Sequence, residues 1–337
     1  MEENNKSLIT VNSSLAKIEK QIAIGEKIIN KTIEELFNKA FKLISSKKID
    51  IDSNHNYLSD FLKDETLLHS EKFSFVVQND EDYIQALEIF DEIIELNGSF
   101  KLAYYFKGLI YKKNYNRRLS NEIYDLFLKK SNLDKTNDLF YIESIDNFSK
   151  VLEIDSEFVY ALFERIDLYE KENIDLALID CNKLIYLNPN YSDYYRIRAN
   201  ILIGLDKKKE SINDFKFSLE LDRNNIRAYN NLGRAYLLWS EKKELARENF
   251  LKAIELAENN LITDPNNPML YYFIGYAKIG LLEFNDANFY LKKSVQIKSE
   301  FYFAGLLIEL ISNTTINNKD IKVDDLWRLP ICMFRIY

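Results

Sequence analysis

The feature that most constrains this chain is a period. Segments that each read as one helix recur at AYYFKGLIY (103–111), YALFERIDLY (160–169), YYRIRANIL (194–202), AYNNLGRAY (228–236) and LYYFIGYAKIG (270–280). Their central residues are Gly108, Ile166, Ala199, Gly233 and Gly275, spaced by 58, 33, 34 and 42 residues. A glycine inside a helix costs roughly 1 kcal/mol relative to alanine, so its recurrence marks a place where two helices come close. A second helical signature follows each segment and one more precedes the first; in each a small residue (Ala86, Ser144, Ala177, Ser211, Ala246, Ala287) precedes Phe90, Phe148, Cys181, Phe215, Phe250 or Leu291 by four positions. Such spacing, continued three residues further, is one buried helical face. A repeated helix pair buries that face by stacking on its neighbours.

Composition agrees with an all-α chain. Only 8 Gly and 4 Pro punctuate 337 residues, too few for the tight turns of a β-rich protein of this length. A formal charge of −8 gives no global field favouring nucleic acid or anionic lipid, which leaves protein as the expected partner. Cys181 and Cys332 lie far apart and fit no paired metal spacing, the pattern of a reducing compartment. The N-terminal sequence shows no signal-peptide pattern and no apolar run reaches 18 residues, so a cytoplasmic protein without a membrane segment is expected.

Tyr229, Leu232, Gly233, Tyr236, Ala246, Phe250 and Ala253 together resemble the tetratricopeptide repeat family, and the register extends from about Asp80 to the neighbourhood of Leu310. The resemblance implies a right-handed α-α superhelix of about six helix pairs, and a scaffold for protein interaction. The organisation expected is a helical N-terminal cap over 1–66, a solenoid over 67–312 and an apolar tail over 313–337. The 24 residues in excess of one period lie near 113–137, where Ser120 and the apolar Ile123, Leu126 and Phe127 suggest an inserted helix. Seven further residues are expected to lengthen the helix at 246–262 by about two turns. The repeat holding Ile166, with a large residue at the close-approach position, should be splayed or differently packed.

The ends carry their own signals. Val11, Leu15, Ile18, Ile22, Ile29, Ile33 and Leu36 follow a spacing of three to four residues that suits either a cap on the first repeat or a coiled-coil homodimer. The closing DDLWRLPICMFRIY is rich in large apolar residues that either fold back on the last helix, fill the groove or dock on a neighbour.

Chemistry of bond making is not written in the sequence. His55 and His69 form no metal motif, no glycine pair has phosphate-loop spacing, and Cys181 sits at a core position, so no metal, cofactor or catalytic residue is expected and the chain reads as non-enzymatic. In the family the first helices line a concave surface. The resemblance places there Tyr105 in one repeat; Arg196 and Asn200 in another; Arg227, Asn230, Asn231 and Arg234 in the next; and Tyr272 and Tyr276 in the last. Arginine forks, asparagine amides and tyrosine rings suit an extended peptide, acidic or ending in a carboxylate. Two other readings stay open: a regulatory or sensor subunit controlling an enzyme through its groove or tail, and a structural oligomer assembled through the N-terminal helix.

Overall fold

The computed structural model describes residues 2–44, 57–63, 80–127, 138–238, 242–298, 304–305, 307–309 and 311–312, with no strand among them. The apolar tail at 313–337 lies outside the described residues. Two compact units are present, Met1–Ala161 and Leu162–Tyr337.

The N-terminal unit contains α1 (Glu2–Ile44), α2 (Tyr57–Lys63), α3 (Asp80–Leu96), α4 (Lys101–Phe127) and α5 (Leu139–Ile154). Ile33, Phe37, Ala40, Phe41 and Ile44 form one buried face at the end of α1. It packs on α2 and α3. Phe37 meets Phe61 of α2, Phe90 of α3 and Phe106 of α4 edge-on, with centroids 6.1, 6.0 and 5.4 Å away. Edge-to-face contacts of this kind add to the burial of large rings. In the α4/α5 pair a Cβ on Gly108 would lie 2.7 Å from Phe148 Cε1, and Ser144 Oγ donates to the Gly108 carbonyl at 2.9 Å.

Where the inserted helical segment is expected, α4 runs unbroken through Ser120 to Phe127, so Ser120 does not start a helix of its own. The stretch from Lys112 to Phe127 contains neither glycine nor proline, so nothing stops the first helix and the extra residues prolong it. Residues 128–137 lie outside the described residues.

α6 (Val159–Glu172) carries the boundary between the units. The C-terminal unit continues with α7 (Ile174–Leu187), α8 (Ser192–Gly204), α9 (Lys208–Leu221), α10 (Ile226–Leu237), α11 (Lys243–Thr263), α12 (Pro268–Gly280) and α13 (Phe284–Ile297). Helices α8/α9, α10/α11 and α12/α13 pack as pairs, and α10 also touches α8 and α12. Gly233 faces the Phe250 ring so closely that a Cβ there would lie 3.0 Å from it, and a Cβ on Gly275 would lie 2.7 Å from Leu291. On Gly280 it would lie 2.4 Å from the same Phe250, so this ring is held between two glycines.

The pair at Ile166 is packed differently from the others. Ile166 and Cys181 are both fully buried, and the small cysteine stands where its neighbours carry a ring, so bulk has moved from one helix to the other. The residue before Ile166, Arg165, grips Asp180 of α7 with two bonds of 2.7 and 2.8 Å. Arg198, before Ala199, grips Asp214 of α9 in the same way at 2.7 and 2.9 Å. In the α10/α11 pair the corresponding residue is the buried Leu232.

Turns repeat as faithfully as helices. The tyrosine four residues before the close-approach position bonds a carbonyl of the preceding turn: Tyr104 to Gly98, Tyr195 to Pro189 and Tyr271 to Pro265, at 3.3, 3.0 and 2.9 Å. Asn97, Asp155 and Asp222 accept from a backbone N–H two residues on, at 3.1, 3.1 and 2.9 Å, which forms the turn leaving the second helix. Between first and second helices the chain reverses through a left-handed residue, Asp206 with φ 55° and Leu282 with φ 63°.

Candidate functional site

Helix α10 lies between α8 and α12, its neighbours among the first helices of their pairs. The asparagine at its N-cap, Asn225, accepts from Ala228 N at 3.0 Å and fixes where the helix begins. The short pitch of the helix then brings Arg227, Asn230, Asn231 and Arg234 to one side, at spacings of three and four. Helix α8 contributes Arg196 and Asn200 one repeat earlier, and α12 contributes Tyr272 and Tyr276 one repeat later.

These side chains are far more buried than lining residues of an open groove. Arg196, Asn200, Asn230, Asn231, Arg234, Tyr272 and Tyr276 are between 1% and 4% exposed. Their polar atoms therefore work in a medium of low effective dielectric, where a hydrogen bond is strong and its absence costly. Arg196 Nε donates to Asp193 Oδ1 at 2.5 Å, and Asn225 Nδ2 reaches the same oxygen at 3.2 Å. Burial alone would raise the Asp193 carboxyl, but Arg196, Arg227 and Asn225 outweigh it and hold it at about 2. Arg227 is pushed down to about 10 by burial and then by the positive charge of Arg196, with Asp193 opposing. Its guanidinium stands 5.6 Å from the Phe273 ring centre.

On the other side, burial pushes Tyr276 up to about 12 although the hydrogen-bonded Arg234 opposes it. Burial drives Tyr272 higher still, with Tyr276 adding to the shift. Asn230 Nδ2 donates to the Phe273 carbonyl at 3.1 Å and so ties α10 to α12. Four polar atoms in this row are buried without a hydrogen-bond partner: the donors Arg196 Nη1 and Asn231 Nδ2, and the acceptors Asn200 Oδ1 and Asn230 Oδ1.

Eight of the residues expected at the site thus belong to three successive first helices of one unit. The ninth, Tyr105, belongs to the N-terminal unit, where its buried ring packs edge-on against Phe106 and Phe158 at 5.6 and 5.3 Å. Asp193 and Asn225 join the site without standing at the repeat positions that point to the others. Both carry a signal in the sequence: Asp193 precedes Arg196 by three residues on one helix, and Asn225 sits at the start of α10.

Among the described residues no group of three His, Cys, Asp or Glu is placed to hold a metal ion. No described helix is long and apolar enough to cross a membrane.

A family model described as tetratricopeptide repeat matches residues 226–260, which are α10 and most of α11. Residues 226–260 form a tetratricopeptide repeat. Tetratricopeptide repeat protein 13 of Homo sapiens is 29% identical over 153 residues, 44% of this chain and 18% of that one. Protein O-mannosyl-transferase TMTC3 of Homo sapiens is 24% identical over 161 residues, 39% of this chain and 18% of that one. The chain spans less than a fifth of the length of these two relatives. Among solved structures, YrrB, described as a tetratricopeptide repeat protein with an unusual peptide-binding site, is 18% identical and covers 67% of this chain and 99% of its own, with a TM-score of 0.34. MamA of Desulfovibrio magneticus RS-1 is 17% identical over 53% of this chain and 87% of its own, with a TM-score of 0.41.

Proposed function

We propose that the row formed by α8, α10 and α12 of this protein binds an extended, acidic segment of a partner protein in the cytoplasm, and that the chain acts by binding and not by bond chemistry. The observation that carries this reading is the set of buried, unpartnered atoms on Arg196, Asn200, Asn230 and Asn231. A buried polar atom without a partner costs about 1–3 kcal/mol, so a ligand that supplies the missing bonds recovers that cost on binding. Each asparagine offers one donor and one acceptor type, which is the inventory of a peptide main chain. The acidic preference comes from Arg196 and Arg227, two positive charges set against the single carboxylate of Asp193, which leaves one positive charge uncompensated in a buried setting. A second carboxylate, brought by the ligand, balances that charge and receives hydrogen bonds from the guanidinium N–H groups that Asp193 does not take. Tyr272 and Tyr276 supply rigid area beside it.

Selection of displayed random peptides on the purified protein tests this reading. Wild type is expected to enrich sequences carrying Asp or Glu, and the Arg196→Glu, Arg234→Glu variant to lose them while keeping its helicity. Enriched peptides without an acidic bias contradict the charge assignment. Unchanged capture by the folded variant contradicts the site.

A further inference from the structure

In the N-terminal unit, the first helix leaves an apolar stretch bare among the described residues. Among the residues of α1 whose burial is described, those from Ile33 onward pack on their unit. Before them, residues 19–31 are exposed almost all round, and Ile22, Ile24, Ile28 and Ile29 are 56%, 51%, 61% and 39% exposed. This stretch is a poor candidate for a solitary helix. It contains the β-branched Ile22, Ile24, Ile28 and Ile29, with Gly25 in their midst and Asn30 and Thr32 after them, all weak helix formers. Helices in water draw most of their stability from packing one apolar face, and here nothing of the described chain covers that face. A Cβ on Gly25 would meet nothing within 4 Å, so no neighbour among the described residues explains the glycine.

The pattern of the seam says what does cover it. Ile22, Gly25, Ile29, Thr32 and Leu36 alternate steps of three and four residues, an average of 3.5, which is the repeat of two helices wound around each other. The layers alternate large and small. A second copy laid antiparallel about Lys27 sets Ile22 against Thr32 of the other copy and Ile29 against its Gly25, so that in these central layers each large residue meets a small one. A parallel copy in register would instead set glycine on glycine and leave a gap. We infer that the exposed part of α1 pairs antiparallel with the same segment of a second copy of this chain, with Gly25 making room for Ile29 of that copy. The structural unit at its base then serves as a fixed mount, since Phe37 and Phe41 anchor the helix in an aromatic cluster.

Light scattering of the full chain, measured over about 1–100 μM, covers the range in which a short helix pair forms. The expected result is a rise from one-chain to two-chain mass for wild type and a constant one-chain mass for Ile22→Asp with Ile29→Asp. Both positions are exposed, so the thermal unfolding of the repeats should be unchanged in that variant. Gly25→Leu is expected to weaken the dimer at least about tenfold, because its bulk collides with Ile29 of the second copy. A wild type of one-chain mass throughout overturns the inference, as does a double variant that dimerises like wild type. A tighter dimer for Gly25→Leu overturns the antiparallel placement on which the inference rests.

Discussion

Phe250 is the residue on which the repeat packing can be tested most sharply. Its ring has Gly233 on one side and Gly280 on the other, and it is fully buried. Replacing either glycine by alanine improves intrinsic helix propensity by roughly 1 kcal/mol. At Gly280 the added methyl would start 2.4 Å from the ring, against 3.0 Å at Gly233. Overpacking of this kind costs about 1–3 kcal/mol, so Gly280→Ala should lower the midpoint of chemical unfolding while Gly233→Ala lowers it less. A pair of variants with equal or raised midpoints would show that the ring can move aside. Gly233 is legible in the sequence because it sits at a repeat position. Gly280 is not, because it lies at the end of its helix, where a glycine is ordinarily read as a stop signal.

Asp193 gives the residue scale a pH dependence. Its carboxyl titrates near 3.8 when free of neighbours and is held at about 2 in the folded protein. A depressed folded value means that its stabilisation is present above pH about 4 and is lost as pH falls toward 2. With the side chain 31% exposed, screening reduces the contribution to about 1 kcal/mol. Asp193→Asn should therefore be less stable than wild type by about that amount at neutral pH, and the gap should close on acidification through this window. A gap that stays constant from about pH 7 to about pH 2 would rule out the carboxylate as its source.

At the scale of elements, two helix pairs are joined by an arginine–aspartate grip where a third uses leucine. Asp180 is 6% exposed in its side chain and Arg165 18%, so removing one partner leaves a charge in a poorly solvated place. Asp180→Ala is expected to cost about 3 kcal/mol, and Arg165→Leu with Asp180→Ala to recover most of it. The chain itself carries the control, since the buried Leu232 occupies this position in α10. Failure of the double variant to recover stability would mean that the grip also sets the angle of the pair.

The helices themselves are readable because a buried face imposes its period on the sequence, as Ala246, Phe250 and Ala253 show in α11. The continuous α4 is not. A stretch longer than the period looks like an extra element, and only the absence of any breaker between Lys112 and Phe127 argues for one long helix. Leu282 is a similar case. Its left-handed backbone is imposed by the helix reversal, and leucine gives no local sign of it.

For the whole molecule, a repeated scaffold carries a buried polar row on α8, α10 and α12. The row is legible from repeat positions, because equivalent residues of stacked helices fall side by side. Its degree of burial and the bridging role of Asp193 are not, because both depend on how close neighbouring helices lie. The central claim is that this row, and not the charge of the surface at large, holds an acidic segment. The most direct measurement is the affinity of one selected acidic peptide, by calorimetry at fixed salt, for wild type and two charge-matched variants. One is Arg196→Gln with Arg227→Gln in the row; the other is Arg247→Gln with Lys252→Gln on α11, away from it. The expected loss is about 30-fold for the row variant, near 2 kcal/mol, with a change within about threefold for the other. Equal losses in both would contradict the claim.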